Sequence, residues 1–372
     1  MMSGINRSQA RWLWVAVTLV LMATSYWLGK QRHRLNAILS GGDEAVETHA
    51  SLASSEFDYV QWTLEQGDTL PVFERMSSDE FSRWQAQQRR SFEQQFLFPY
   101  QSGHEVKAVG EPSSHRGYTQ QEFWVTLHKK RLFRFYKLRP KQLVRTLPAI
   151  VAFMGHGSIK QLTTLSKSYQ RATAAELANE GYLVFAMENV GMGPEDGKQT
   201  HTQLDSVLSL SGYSWYALLF AHQRLLLDHV FDDPEVDSEA VGVVGVSTGG
   251  LLALSAAALE PRVKAASVHG IFASLAISFA RDRELHCACG TIDGALPSFD
   301  LPRLALLVAP RPLHINNNRS DTFPPADARE ALVPINPVFV QFGGTAPLFT
   351  SPEGKHSLAL PEALNFLEES LR

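Results

Sequence analysis

A serine set between glycines is the residue of this chain best suited to do chemistry. Residues 245–250 read Gly-Val-Ser-Thr-Gly-Gly, so Ser247 has a glycine two positions away on either side. The apolar run 240–244 before it predicts a buried strand, and the apolar run 251–259 after it predicts a helix. Glycines let a strand and a helix approach closely at such a turn, which exposes the serine hydroxyl. We therefore predict that Ser247 is a nucleophile; the alternative is a serine that only caps the helix.

A serine nucleophile needs a base and an acid, and the chain offers both downstream. A hydroxyl attacks poorly at neutral pH unless an imidazole takes its proton, and a carboxylate must fix the imidazole tautomer. Asp321 is the only acid in the loop after the predicted strand 311–316. His356 lies in the last loop, between a predicted strand at 338–342 and the closing helix. Serine, acid, histidine is one of the chain orders in which catalytic triads occur. We predict Ser247, Asp321 and His356 as that triad.

The oxyanion of an acyl-transfer intermediate must be met by backbone N–H groups. Thr248, directly after the nucleophile, is predicted to supply one donor. The second is predicted from the glycine-rich loop 155–158, which follows the predicted strand 149–154. Two registers are open in this loop, so the donor is His156 or Ser158, and we prefer His156.

Three further histidines compete with His356 for the role of base. His314 lies inside a predicted strand, and His269 and His286 come too early in the chain. His286 stands beside Cys287 and Cys289, a cluster that invites a metal site. A zinc site needs about four ligands, however, and no second pair of ligands matches this cluster. We therefore predict no metal and no cofactor, and we assign this segment to packing near the site.

Composition excludes several other classes of protein. The 372 residues are 44% hydrophobic, enough for a large core in one α/β domain with extensions. The net charge is −4 and no basic block is present, so a nucleic-acid partner is not expected. The two cysteines of the chain are too few for a disulfide scaffold.

The amino terminus predicts a membrane anchor. The run 12–28 carries no charge, and a span needs about 20 apolar residues. Aromatic residues of the kind that sit at membrane interfaces lie near its ends: Trp12, Trp14, Tyr26 and Trp27. Basic residues rather than an Ala-x-Ala cleavage site follow it. We predict a signal anchor at 1–34 and an extracytoplasmic (periplasmic) catalytic part. One alternative is a cleaved signal peptide, which would make the protein secreted. The other is that this run is a buried helix of the globular domain.

From residue 149 onward, predicted strands and helices alternate. The predicted strands are 149–154, 182–187, 240–244, 263–269, 311–316 and 338–342, and the predicted helices between and after them are 166–179, 212–230, 251–259 and 361–371. A linker at 35–77, a helix at 78–96 and a hairpin near 117–138 precede them. Such alternation predicts an α/β fold with a mostly parallel central sheet, helices on both faces and a site at the carboxyl ends of the strands.

With these motifs in this order, the chain resembles the α/β-hydrolase superfamily, and within it the bacterial group of dienelactone hydrolases and acetyl xylan esterases. The resemblance covers roughly residues 78–372. It is carried by the stretches 155–157, 234–237, 245–250, 260–266, 286–290, 300–302 and 309–313. It implies an α/β-hydrolase fold, the same triad, and a cysteine pair that is structural. Relatives differ at three places: they carry a histidine where Met154 stands, an Asp-x-Arg-Gly turn near 188–191, and Gly-Gly before the last histidine.

The predicted function is a serine hydrolase that cleaves carboxylic esters through an acyl-enzyme. The resemblance implies acetyl esters of carbohydrates as substrates. The expected partners are a small-molecule or carbohydrate ester and, through the amino-terminal helix, a membrane. A serine peptidase or an acyltransferase of the same fold is an alternative, and so is a membrane-tethered binding protein without activity.

Overall fold

The computed structural model describes residues 71–100, 102–142, 144–192, 200–275, 278, 292–296 and 298–372. The chain divides into two compact units, Met1–Thr63 and Leu64–Arg372, and the described residues belong to the second. The predicted anchor 1–34 and the segment with His286, Cys287 and Cys289 lie outside the described residues, so these predictions stay open. Within the described part, no helix is long and apolar enough to pass through a membrane.

In the described part of the second unit, one sheet of nine strands organises the fold. In chain order the strands are β1 (Glu105–Ser114), β2 (Tyr118–Leu127), β3 (Lys130–Pro140), β4 (Leu147–Phe153), β5 (Leu183–Met187), β6 (Val236–Val246), β7 (Ala265–His269), β8 (Leu313–Asn316) and β9 (Leu348–Thr350). Their order in the sheet is β1-β2-β3-β5-β4-β6-β7-β8-β9. Strands β4 to β9 pair in parallel, whereas β1, β2 and β3 add antiparallel at one side. The predicted mostly parallel sheet is confirmed, and its carboxyl ends share one edge.

Helices cover both faces of the sheet. They are α1 (Ser78–Phe96), α2 (Lys160–Thr163), α3 (Thr173–Asn179), α4 (His201–Ser209), α5 (Trp215–Asp232), α6 (Thr248–Leu259), α7 (Leu301–Val308), α8 (Pro325–Leu332), α9 (Asn336–Gln341) and α10 (Leu360–Leu371). Successive residues of a strand point to opposite faces, and β4 shows the result. Val151 packs with the apolar cluster that includes α1 and α5, whereas Ile150 packs with the cluster that includes α3 and α10.

The apolar stretch 338–342, predicted as a strand, is helical. Pro337 stands in the first turn of α9, where a proline loses no helical hydrogen bond. Val338 and Phe339 are buried while Val340 is 59% exposed, so one side of a short helix faces the core. A run this short cannot be assigned by periodicity alone. The last strand is instead β9, which lies nearer to His356.

Other differences are at element boundaries. The predicted helix 166–179 is real only at Thr173–Asn179, and β1 was not predicted. Helix α1 is capped by Ser77 rather than Ser78, through a capping box with Glu80. Phe73, inside the stretch predicted as linker, is buried and packs against α1.

Candidate active site

Ser247 lies at a strained turn between β6 and α6. Its backbone has φ 60° and ψ −128°, a conformation that a non-glycine residue adopts at a cost. The flanking glycines explain how the turn closes. A Cβ atom on Gly249 would lie 2.2 Å from the carbonyl oxygen of Phe153, and one on Gly245 would lie 2.1 Å from the carbonyl oxygen of Gly249. The predicted strand, turn and helix around the serine are therefore present, and only glycine fits beside it.

His356 and Asp321 form a hydrogen-bonded pair in two neighbouring loops. His356 Nδ1 lies 2.8 Å from Asp321 Oδ1, and the Asp321 side chain is 0% exposed while that of His356 is 26% exposed. The backbone N–H of Phe323 also donates to Asp321 Oδ1, at 3.1 Å. A carboxylate held in this way accepts a hydrogen bond from Nδ1–H, which leaves the Nε2 lone pair of the neutral imidazole to act as a base.

The three predicted triad residues converge on the end of β7. The backbone N–H of Ser247 donates to the carbonyl oxygen of His269, at 2.9 Å. The next residue, Gly270, lies against the His–Asp pair, because a Cβ atom on it would be 3.1 Å from His356 Cε1 and 3.2 Å from Asp321 Oδ2. One short backbone segment thus borders the serine turn, the acid and the histidine, which come from the ends of β6, β8 and β9.

A buried asparagine that the sequence did not single out holds the acid and histidine loops together. Asn318 Nδ2 donates to the carbonyl oxygens of Lys355 and Ser357, both at 2.8 Å, and these residues flank His356. The carbonyl oxygen of Asn318 accepts the N–H of Asp321 at 3.1 Å. Asn318 therefore contacts the backbone of both loops. No motif marked it beforehand, since the partners of its amide lie 37 and 39 positions away.

The loop 155–158 lies directly on the serine turn. A Cβ atom on Gly155 would come within 2.6 Å of the carbonyl oxygen of Val246, the residue before the nucleophile. His156 is the residue directly after Gly155 and therefore lies next to this contact. Ser158 begins the turn into α2, where its hydroxyl accepts from Lys160 N at 3.3 Å. The other predicted donor, Thr248, is the first residue of α6, whose positive dipole end faces the turn.

A second histidine stands beside His156 at the start of α4. The rings of His156 and His201 are perpendicular, with centroids 4.9 Å apart, and His201 also contacts Trp215. Burial, with a smaller effect from the nearby His156, lowers the pKa of His201. The neutral form of His201 is therefore favoured beside the loop.

Two of the departures from the family pattern meet below this loop. Met154, where relatives carry a histidine, is buried, and its carbonyl oxygen accepts a hydrogen bond from Asn189 Nδ2 at 2.8 Å. Glu188, where relatives carry an aspartate, pairs with the buried Arg134 on β3 through two hydrogen bonds. Burial alone would lower the pKa of Arg134, and the bonds and charge of Glu188 raise it instead. Asn189 thus holds the backbone just before the loop, and Glu188 is fixed against β3 by Arg134.

The rival histidines of the described part, His269 and His314, are fully buried in the sheet. Burial lowers the pKa of both, that of His314 to about 4. Their imidazole rings hydrogen-bond to Ser267, and His269 borders the Ser247 turn only through its backbone carbonyl. Within the described ranges, no group of three or more His, Cys, Asp or Glu side chains could hold a metal ion.

Residues 123–281 match the sequence model of the acetyl xylan esterase (AXE1) family. The predicted resemblance is confirmed. The protein YtaP of Bacillus subtilis (strain 168), provisionally named a hydrolase, is 27% identical over 135 residues. That stretch is 35% of this chain and spans only 45% of YtaP. The predicted enzyme class, a carboxylic ester hydrolase, agrees with the family match.

Many solved structures are similar to the chain, and two of them illustrate the likeness. A protein of Bacteroides fragilis NCTC 9343, provisionally named an acetyl xylan esterase, has a TM-score of 0.63 at 17% identity, over 80% of this chain and 81% of its own. A glucuronoyl esterase from Solibacter usitatus has a TM-score of 0.61 at 14% identity, over 82% of this chain and 98% of its own. At such identities the likeness establishes the fold, and the predicted α/β architecture is confirmed.

Proposed function

We propose that this chain is a serine esterase that hydrolyses carboxylic esters. The observation that carries the proposal is the hydrogen-bonded His356–Asp321 pair across Gly270 from the strained turn of Ser247. A strained backbone at a serine persists only where the surrounding structure holds it, and such strain is concentrated at functional sites. The similarity to acetyl xylan esterases points to the same chemistry.

In the proposed reaction, His356 Nε2 takes the proton of the Ser247 hydroxyl as its oxygen attacks the ester carbonyl. The tetrahedral oxyanion is held by the N–H of Thr248 and by that of His156, whose loop lies on the turn. Asp321 stabilises the imidazolium that forms. His356 then gives its proton to the departing alcohol, and an acyl-enzyme remains. Water, deprotonated by His356, cleaves this acyl-enzyme and restores Ser247.

Replacement of the nucleophile tests the reaction. We expect Ser247→Ala to lower turnover of p-nitrophenyl acetate by at least about 10³-fold, with an unchanged circular dichroism spectrum. A fluorophosphonate probe should label Ser247 in the wild type and fail to label the variant. Ser113→Ala, at an exposed position of β1, is the matched control and should keep full activity. Wild-type activity in the Ser247→Ala variant would refute the proposal.

For the substrate, we propose acetyl esters of carbohydrates. The support for the acetyl group is the family match, whose members are named for acetyl xylan. The likeness to a structure named as a glucuronoyl esterase supports only the broader class of carbohydrate esters. Release of acetate from acetylated xylan should then be compared with hydrolysis of a methyl glucuronate ester and of p-nitrophenyl butyrate. A higher kcat/KM for the acetylated sugar supports this class, and a preference for the butyrate contradicts it.

For location, we propose that residues 12–28 anchor the protein in a membrane with the catalytic unit outside the cytoplasm. The support is the uncharged run and its aromatic ends. The full chain should remain with membranes after an alkaline wash, and the variant with both Val17→Arg and Leu21→Arg should not. A mature chain shortened at its amino terminus would indicate a cleaved signal peptide and contradict the anchor.

A further inference from the structure

Tyr169 contacts both halves of the candidate site, and no motif of the sequence marks it. Its hydroxyl donates to the carbonyl oxygen of His156 at 2.7 Å. Its ring lies nearly parallel to that of His356, at an angle of 21° with centroids 5.6 Å apart. Its own carbonyl oxygen accepts the N–H of Leu358 at 2.8 Å, two residues after His356. One side chain therefore links the loop 155–158 to the histidine loop.

Gln170, the residue after Tyr169, forms a second hydrogen bond to the loop 155–158. Gln170 is fully buried, and its Oε1 accepts the N–H of Gly155 at 2.9 Å. The amide of Gln170 is itself oriented, because its Nε2 donates to Gln161 Oε1 at 2.7 Å. Two consecutive side chains thus hold two peptide groups of this loop, one through the N–H of Gly155 and one through the carbonyl of His156.

These two peptide groups stand on either side of the one that carries the N–H of His156. A peptide unit is planar, so its orientation follows from the two dihedral angles that connect it to its neighbours. With the preceding and following units held, the direction of the His156 N–H is constrained as well. The fit depends on Gly155, since a Cβ atom there would lie 2.3 Å from the Tyr169 hydroxyl.

We propose that Tyr169 is a positioning residue that holds the His156 oxyanion donor and the His356 base at a fixed spacing. The proposal rests on the proposed esterase function. Its hydroxyl acts on the donor through the His156 carbonyl, and its ring acts on the base through packing. The two effects are separable, because phenylalanine keeps the ring and removes only the hydroxyl.

The test compares Tyr169→Phe with Tyr169→Leu. Removal of an oxyanion donor costs about 10²–10³-fold in kcat, and a displaced donor should cost less, so we expect Tyr169→Phe to lower kcat about 10-fold with KM unchanged. A boronic acid, which forms a tetrahedral adduct with a serine, should bind this variant more weakly by a similar factor. Tyr169→Leu should lose more in kcat, because the packing against His356 is lost too. Tyr136→Phe is the matched control, since its hydroxyl also donates one bond, to Glu122 Oε2 at 3.2 Å, and it should keep wild-type kcat.

Rates are to be measured below the melting transition and counted per molecule labelled by the fluorophosphonate, so that a partly unfolded variant still gives a result. Wild-type kcat and boronate affinity in Tyr169→Phe would overturn the proposal, as would an equal loss in Tyr136→Phe. Failure of the proposed function looks different: the wild type itself would neither turn over esters nor be labelled at Ser247.

Discussion

The sheet carries two serine–histidine groups on neighbouring strands, and they differ in access and in charge. The candidate triad consists of Ser247, Asp321 and His356, and the buried group consists of Ser267, His269, His314 and Thr350. In the buried group, the Ser267 hydroxyl lies 2.8 Å from His269 Nε2 and 2.9 Å from His314 Nδ1. Hydrogen bonds between serine and histidine alone would therefore favour Ser267 as the nucleophile.

The buried group is a chain of hydrogen bonds with one direction. The N–H of Ala359 donates to His269 Nδ1 at 3.4 Å, so the ring proton of His269 is on Nε2 and is donated to Ser267. The Ser267 hydroxyl then donates to His314 Nδ1, and His314 Nε2 donates to Thr350 Oγ1 at 2.7 Å. Both imidazoles are satisfied in the neutral form, and each ring nitrogen is in use.

The difference between the groups lies in the acid and the solvent. Burial lowers the pKa of His314 to about 4, and burial together with the nearby His314 lowers that of His269. These rings therefore resist the positive charge that a general base must take up. His356 instead faces the carboxylate of Asp321 and is partly exposed, so the imidazolium can form beside a negative charge. A histidine next to a serine becomes a base only where a carboxylate faces it and solvent reaches it.

The strongest way to break this comparison is to remove one histidine from each group. We expect His356→Asn to lower kcat/KM for p-nitrophenyl acetate by at least about 10³-fold with little change in melting temperature, because the base is lost from an accessible loop. His314→Gln should keep most of the activity and lower the melting temperature. The exposed His128→Asn, in the turn between β2 and β3, is the control and should change neither. Loss of activity in His314→Gln alone would reverse the assignment.

Gly270 offers a sharper test of the triad geometry. A Cβ atom there would press on His356 Cε1 at 3.1 Å and on Asp321 Oδ2 at 3.2 Å, at a φ of +60°. Displacement of catalytic groups by a fraction of an ångström to 1 Å costs up to about 10²-fold, so Gly270→Ala should lower kcat about 10- to 100-fold. Gly110→Ala is a matched control, because its φ is +66° and no atom lies within 4 Å of its Cβ position. Equal kcat in the two variants would contradict the proposed contact.

The sequence predicted those parts of the site that depend on local structure. The turn of Ser247 was recognisable because its glycines, its strand and its helix are contiguous in the chain. The positions of Asp321 and His356 follow from the order of strands, and the two side chains are hydrogen-bonded even though the strand before His356 is predicted about ten residues too early. The loop that carries Asp321 could be assigned from the end of the predicted strand 311–316 alone.

Contacts between distant segments could not be predicted in the same way. Tyr169 and Asn318 act on backbone carbonyls 13, 37 and 39 positions away, and Gly270 lies against the side chains of Asp321 and His356, which come much later in the chain. Any polar or small residue would have left the same pattern in the sequence. The helix α9 was missed because a short apolar run fits a helix or a strand equally well. The buried state of His269 and His314 likewise depends on β9 and α10, which pack on them from the far end of the chain.

The hydroxyl of Ser267 provides a stability counterpart to Ser247. Ser267→Ala would leave His269 Nε2 and His314 Nδ1 without their shared partner in a fully buried site, at a cost of about 1–3 kcal/mol in the free energy of unfolding. We expect a lower midpoint in urea with kcat per folded molecule unchanged. Ser113→Ala is a matched control, since Ser113 also bonds a histidine, His115, but on the exposed surface, and it should cost under about 0.5 kcal/mol. If Ser267→Ala is as stable as Ser113→Ala and the wild type, the buried hydrogen bonds do not contribute to stability.

The buried group should also make the stability of the protein depend on pH. Burial lowers the pKa of His314 from 6.5 to about 4. Between pH 6.5 and pH 4, this histidine therefore binds a proton in the unfolded chain but not in the folded chain. The free energy of unfolding should therefore be fully retained above pH 6.5 and should decrease as the pH falls towards 4. One such histidine contributes a slope of up to about 1.4 kcal/mol per pH unit. Urea titrations of the wild type and of His314→Gln at pH 7, 6 and 5 should show a shallower decline in the variant, while His128→Asn follows the wild type. Parallel declines in all three proteins would show that His314 is charged in the fold, and the contrast with His356 would fail.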